Sequence, residues 1–364
     1  MGEVRIFHNG KLIATRNAPV PSATPVTTTT AEIAATLSAA TLTRARSNVT
    51  EAQRAATARS TPVDKLADEF DAALTPGENH FTVVAFNGAN TLNARPVTRE
   101  IIANLPAEPR RVALLSMGIN DYAKSADVDT LRYAVKDADD FAKEITATLA
   151  AAAPDTTFMR INLRDRDATR ERFLRTFDEL AHTLKPTDIF LWLVASHGTL
   201  DSAAQYGIIP HDWDGKPDPR SLVSASEILE ALRKLPPLTQ FFVFDTCHAG
   251  GLNSLARGLY DARLAVLARN MGLHIFACAS AAEEAIDGHQ GNGLFTHTLL
   301  KGLRSGAADA NGDKQVSVSE LGRYASRETA RIAQGTFRHA QQPVAMSYGK
   351  DWTLHVLRDT QEKP

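Results

Sequence analysis

The sequence predicts an α/β fold: a mostly parallel sheet sandwiched by helices, preceded by a small all-β domain. Three observations predict it. From Arg111 onward, continuous apolar runs such as IFLWLVASHG (189–198) and TQFFVFDTC (239–247) alternate with helical stretches; strands apolar on both faces belong in a sheet covered on both sides. Before Arg111 the rhythm is alternation and tight turns, the mark of antiparallel hairpins. The length of 364 residues suits one large domain with a smaller companion.

The elements follow in order. VRIFHNGKLIATR alternates and turns at Asn9-Gly10, a strong short hairpin signal. The stretch 68–97 gives two or three more strands, with turns at Pro76-Gly77 and Asn87-Gly88. Together these strands fit a small β-sandwich over residues 1–100, and LTPGENHFTVVAFN resembles the immunoglobulin-like accessory modules of bacterial multidomain proteins. An insert at about 18–60 interrupts it, Pro/Thr-rich through residue 30, then Ala-rich and charged: a helical pair or a mobile segment. A linker at 101–110, with two prolines, leads into the larger domain, 111–358. There the strand RVALLSMGIN precedes an amphipathic helix over 129–152, the strand FMRINL, a helix over 168–184, and IFLWLVASHG. Helix SASEILEALRKL leads to TQFFVFDTC, and LHIFACAS makes a further strand.

The totals exclude several function classes. A formal charge of −2, with arginines scattered, offers no basic field for nucleic acid. No apolar run approaches the roughly 18 residues of a membrane span. The opening MGEVRIFHNGKLIAT has no apolar h-region and does not fit the myristoylation pattern. Two cysteines, Cys247 and Cys278, are too few for a disulfide framework, so a reducing cytoplasm is the expected location.

Functional groups in parallel sheets collect beyond the carboxyl ends of the strands. SHG and DTCHAG both sit there, so His197 and Cys247 become neighbours if their strands lie side by side. A cysteine nucleophile needs a base, and neutral imidazole serves near neutral pH. Gly198 allows close approach of a main-chain N–H to a substrate carbonyl, and with the N–H of Cys247 would form an oxyanion hole. His248, next to the thiol, reads as structural because adjacent side chains diverge, and Cys278 reads as core within its apolar strand. No metal-ligand spacing supports zinc on His197, Cys247 and His248. Asp245 is the puzzle, since a carboxylate two residues before a thiol discourages the thiolate. In an extended strand these two side chains share a face, so the acid borders the same cleft.

With SHG and DTCHAG at two strand ends, the chain resembles the caspase-like cysteine peptidases, particularly metacaspases, paracaspases and bacterial orthocaspase-type relatives. RVALLSMGIN, LRYAVKDADDF and GLFTHTLLKGL fit the same pattern, from about Arg111 to the C-terminus. The resemblance implies a caspase-like fold and peptide-bond cleavage by a Cys247–His197 dyad with no required cofactor. It also implies that Asp245 and Asp137 line the S1 pocket. Two carboxylates there would repel unless a cation joins them, so cleavage after arginine or lysine is expected. The animal caspase signature Gln-Ala-Cys-x-Gly is absent, which leaves aspartate specificity unsupported. Arg132 is its one foothold, near where animal caspases grip a substrate aspartate; otherwise it is a surface helix residue. Asp287, in the loop after the Cys278 strand, reads as a solvated acid or a third pocket acid.

Family analogy also points to Arg257, Arg263 and Arg269 as autoprocessing sites. DANGDKQVSVSE places Asp309, Asn311, Asp313, Gln315 and Glu320 at calcium-loop positions 1, 3, 5, 7 and 12, but with Lys314 where glycine is usual. A polar turn capping a helix from about Ser317 is the competing reading. Asp165 and Asp167 look like a helix start, with Asp167 as the cap. The expected partners are protein or peptide substrates with a basic P1 residue, and a protein bound through the β domain. A catalytically inactive scaffold of the same fold is the alternative from another class.

Overall fold

A computed structural model describes residues 3–17, 69–87, 93–122, 128–202, 205–216, 218, 220–248, 273–279, 284–349 and 351–357; for Asn17, Cys247 and His248 it describes the main chain alone. The 18–60 insert and the arginines Arg257, Arg263 and Arg269 lie outside the described residues.

The β module is a four-stranded antiparallel sheet in the order β2-β1-β3-β4: β1 (Glu3–His8), β2 (Lys11–Asn17), β3 (Gly77–Ala85) and β4 (Val97–Ala103). Asn9-Gly10 makes the expected turn, with φ of 48° and 88°, the left-handed values that such hairpins require. β4 continues through Ala103, so only 104–110 of the expected linker is free of regular structure. Two buried polar contacts fasten this sheet. His8 Nε2 bonds Asn79 Oδ1 at 2.8 Å, and Lys11 Nζ donates to the Leu235 carbonyl of the larger domain.

The larger domain is built on β5 (Arg111–Gly118), β6 (Thr157–Arg164), β7 (Ile189–Leu200), β10 (Thr239–His248) and β11 (His274–Ala277). These run parallel, and β13 (Val344–Ser347) closes one edge antiparallel, giving the order β13-β11-β10-β7-β5-β6. Small strands β8 (Tyr206–Ile208) and β9 (Val223–Ser224) extend the end of β7, while β12 (Gln315–Ser317) pairs with β14 (Thr353–Val356). Among the described residues five helices cover the sheet: α1 (Ala134–Ala152), α2 (Arg170–Thr183), α3 (Ala225–Lys234), α4 (Leu294–Ser305) and α5 (Val318–Ile332).

The apolar runs explain this layering. In β7, Phe190, Trp192 and Val194 pack against one core with Phe173 and Phe177 of α2, while Leu191, Leu193 and Ala195 pack against the other with Phe141 and Ile145 of α1. Both faces are dry, hence the unbroken hydrophobic string. Thr169 rather than Asp167 caps α2, its side chain accepting from the Arg172 N–H. Asp165 instead takes φ of 39° and accepts the N–H groups of Asn120 at 2.7 Å and Asp121 at 3.2 Å, pinning the chain that leaves β5. α1 starts at Ala134, later than the sequence suggests, because residues 129–131 spend their main-chain groups elsewhere. The Asp129 carbonyl accepts from His197, and the Leu131 N–H donates to Asn120. Arg132 therefore precedes the helix.

Candidate active site

β7 and β10 are adjacent and parallel, with Cys247 opposite His197 and Asp245 opposite Ala195. Neighbouring strands are about 4.8 Å apart, so the main chain of Cys247 lies one strand spacing from that of His197.

His197 is held from two sides. Its N–H donates to the Tyr122 hydroxyl at 2.7 Å, and its ring stands 5.5 Å from the Tyr122 ring. Nε2 donates to the Asp129 carbonyl at 2.9 Å, since a carbonyl can only accept. The neutral ring therefore carries its lone pair on Nδ1, which is buried and has no partner among the described residues. Burial pushes the imidazole below its ordinary pKa, outweighing the Asp129 carbonyl and the acids nearby. A neutral imidazole with a free, oriented lone pair is what a general base requires.

Two residues back along both strands, where Asp245 stands opposite Ala195, lies an acidic pocket, lined by Asp137 of α1, Asp245 of β10 and Asp287 of the loop before α4. Asp137 accepts from Asn292 Nδ2 at 2.8 Å and from the Gly293 N–H at 3.0 Å. Asp245 Oδ2 accepts from Thr296 Oγ1 at 2.6 Å. Burial first, then the Asp245 charge, pushes the Asp137 carboxyl up to about 8, against the pull of Asn292 and Gly293. Asp245 is raised as well, again chiefly by burial. No described Lys or Arg pairs with either acid. Gly293 is needed here: a Cβ on it would stand 2.8 Å from Asp137 Oδ2.

Asp287 joins the pocket instead of standing in solvent, and it also organises Arg132. It accepts the Arg132 N–H at 2.9 Å and lies 3.5 Å from Nε, while Arg132 Nη2 donates to the Asp287 carbonyl. The guanidinium is otherwise well exposed, at 72% of the side chain. Cys278 is buried, as expected of a core residue, with its thiol donating to the Thr246 carbonyl at 3.5 Å.

The Gly198 and Cys247 N–H groups lie at the ends of two adjacent strands. The Cys278 N–H donates to the Phe244 carbonyl and the Ile209 N–H to that of His197. Main-chain groups alternate sides along a strand, so the N–H groups of Cys247 and Gly198 both point into the seam between β7 and β10. The ladder runs on to the rung His248–Gly198.

The residues of the candidate calcium loop serve the loop's own hydrogen bonds. Among the described residues no group of three or more His, Cys, Asp or Glu is placed to hold a metal ion. Asp309 accepts the N–H groups of Gly312 at 2.8 Å and Lys314 at 3.1 Å, Asn311 accepts from Asp313, and Asp313 accepts from Gln315. Glu320 completes a capping box with Ser317 at the start of α5. Lys314 bears φ of 62°, a conformation that costs a non-glycine residue energy. Gln315 belongs to β12. The ligand set is committed to a turn and a helix cap.

Tyr122, the Asp129 carbonyl, Asn292, Gly293 and Thr296 have no role in the sequence reading. GLFTHTLLKGL drew notice as a family pattern, yet nothing in it signals that its first residues would hold two distant acids.

Comparison with known proteins agrees with this architecture. The caspase domain of peptidase family C14 matches residues 110–348, well over half the chain. The chain belongs to the caspase-domain peptidase family. No curated protein matches it. Among solved structures, the crystal structure of protein GSU0716 from Geobacter sulfurreducens is similar at 16% identity and a TM-score of 0.48, covering 68% of this chain and all of that one. Among the described residues no helix is long and apolar enough to cross a membrane.

Proposed function

We propose that this protein is a cysteine endopeptidase that cleaves after arginine or lysine, with Cys247 as nucleophile and His197 as base. The observation that carries the reading is the buried pair Asp137–Asp245, with no cation paired to it among the described residues, beside a histidine whose Nδ1 lone pair is unengaged among those same residues. Burying carboxylates costs free energy unless a partner compensates. A P1 guanidinium or ammonium entering the pocket supplies that partner, and Asp287 at its rim adds a third oxygen acceptor.

In the reaction His197 Nδ1 takes the thiol proton, the Cys247 sulfur attacks the scissile carbonyl carbon, and the imidazolium then protonates the leaving amine. Water hydrolyses the thioester. For the oxyanion to be held by Gly198 and Cys247, the last rungs of the β7–β10 ladder must part, turning both N–H groups toward substrate. No cofactor takes part. A basic pocket preference also makes Arg257, Arg263 and Arg269 candidate cuts by the enzyme itself, and the β module a candidate site for a protein partner.

The test is turnover of paired fluorogenic peptides with P1 Arg and P1 Asp, beside Cys247→Ala and His197→Ala. Turnover of the Arg peptide, lost by at least about a hundredfold in both variants, is the expected result. Turnover of the Asp peptide alone would move the specificity to Arg132. Silence with both, with a thiol no more reactive than an ordinary one, would make the chain an inactive scaffold.

A further inference from the structure

A second pocket lies behind the acidic one, on the far side of the turn 289–292, and its chemistry is the opposite. His297, Lys301 and Arg304 project from one face of α4, at the i, i+4, i+7 spacing that aligns side chains along a helix. Arg331 of α5 and His289 of the turn complete the lining, which contains no carboxylate. The two imidazoles meet edge to face at 4.7 Å, and their ring nitrogens have no hydrogen-bond partner among the described residues.

The cations are only partly spent. Lys301 and Arg331 share one carboxylate, Glu328, at 2.9 Å and 2.8 Å, so two positive charges meet one negative charge. Arg304 donates from Nε to Glu144 at 2.6 Å, and its two terminal nitrogens have no partner among the described residues. All three side chains are substantially exposed. The chain then winds into a π-helical turn, Ala333–Phe337, just after Arg331; such widened turns recur at functional sites. Donors from five basic side chains around one opening exceed what Glu328 and Glu144 accept.

We infer that this pocket binds a small oligophosphate anion, held by Lys301, Arg304 and Arg331 with His289 and His297 at its inner wall. Its position gives it a route to the acidic pocket. His289 and Asn292 pair across the turn, N–H to carbonyl in both directions, and the Asn292 amide bonds Asp137 and Asp140 on the other side. Occupancy that draws on His289 displaces the amide that positions Asp137. That coupling rests on the peptidase reading; the binding does not.

Calorimetric titration of the full chain with sodium triphosphate, and separately with citrate, tests the site. Triphosphate is expected to bind, with Lys301→Gln and Arg304→Gln each weakening it by about tenfold, the loss of one charge-assisted contact. Glu328→Gln releases the competing carboxylate and is expected to strengthen binding instead, a change that misfolding cannot imitate; far-ultraviolet circular dichroism checks each variant's fold. No triphosphate binding at millimolar concentration, equal affinity across the three variants, or binding of citrate alone would overturn the inference. A shift in KM for the P1 Arg peptide with triphosphate present tests the coupling, and leaves the isotherm to stand by itself if the peptidase reading fails.

Discussion

The acids of the pocket and the acids of the 309–320 loop are solved by opposite physics. In the loop, each carboxylate is met by nearby main-chain N–H groups: Asp309 by Gly312 and Lys314, Asp313 by Gln315, Glu320 by Ala310 and Ser317. In the pocket, Asp137 and Asp245 are desolvated and the Asp245 charge raises the affinity of Asp137 for a proton, with Asn292, Gly293, Thr296 and the Cys278 thiol offsetting part of the cost. A carboxylate satisfied by its own loop is finished structure. A carboxylate left short of positive charge in a dry pocket is poised for a ligand, and perturbed acids of this kind cluster at functional sites.

The comparison breaks most sharply at the pocket. Asp245→Asn and Asp137→Asn are each expected to lower kcat/KM for a P1 Arg peptide by roughly a hundredfold or more, since the substrate's buried cation then loses a charged partner. Asp309→Asn in the loop is expected to leave kcat/KM unchanged. Equal losses at both sites would erase the distinction. A smaller loss is expected for Asp287→Asn, because its carboxylate already serves Arg132.

The pH dependence of substrate binding sharpens it further. Burial and Asp245 raise Asp137 to about 8, so at neutral pH the empty pocket holds a proton that a P1 cation must expel. KM for the Arg peptide is therefore expected to fall as pH rises toward 8 and to level off above it. In Asp137→Asn that slope disappears. A profile that is flat in the wild type would show both acids already ionised in the free enzyme. The raised value also has a stability sign. A carboxyl that holds its proton in the folded state, and loses it in the unfolded chain above its ordinary 3.8, makes stability fall as pH rises from there toward 8. Asp137→Asn is expected to recover of order 1 kcal/mol or more at neutral pH, read as a higher urea midpoint, while impairing catalysis.

Much of this was legible in the sequence, and the boundary is physical. The parallel sheet is written in β7 and β10 because both faces are buried, so every residue must be apolar. His197 and Asp245 were readable because each breaks such a run at its carboxyl end. Contacts between distant segments were not. Nothing in RYAVKDAD announces that Asn292 and Gly293 would hold Asp137, and the Asp129 carbonyl that orients His197 has no residue signature at all. The loop Asp309–Glu320 left two readings open for the converse reason. Its ligand spacing is also the spacing of an Asx-rich turn followed by a capping box, and only three-dimensional placement tells the two apart.

The smallest expected effect tests the loop directly. Glu320→Ala removes the side chain that returns to the Ser317 N–H and accepts from Ala310, so α5 loses half of its capping box. A loss of about 1 kcal/mol is expected, visible as a modest drop in urea midpoint with kcat/KM intact. Millimolar calcium should move the midpoint of neither the wild type nor the variant. A stabilisation of the wild type by calcium that vanishes in Asp309→Ala would mean the carboxylates can leave their N–H donors for a cation. The two acidic regions would then differ in degree of satisfaction, not in kind. An unchanged midpoint leaves the loop as what its hydrogen bonds make it, a turn that starts a helix, and keeps unsatisfied charge as the property that separates the pocket from it.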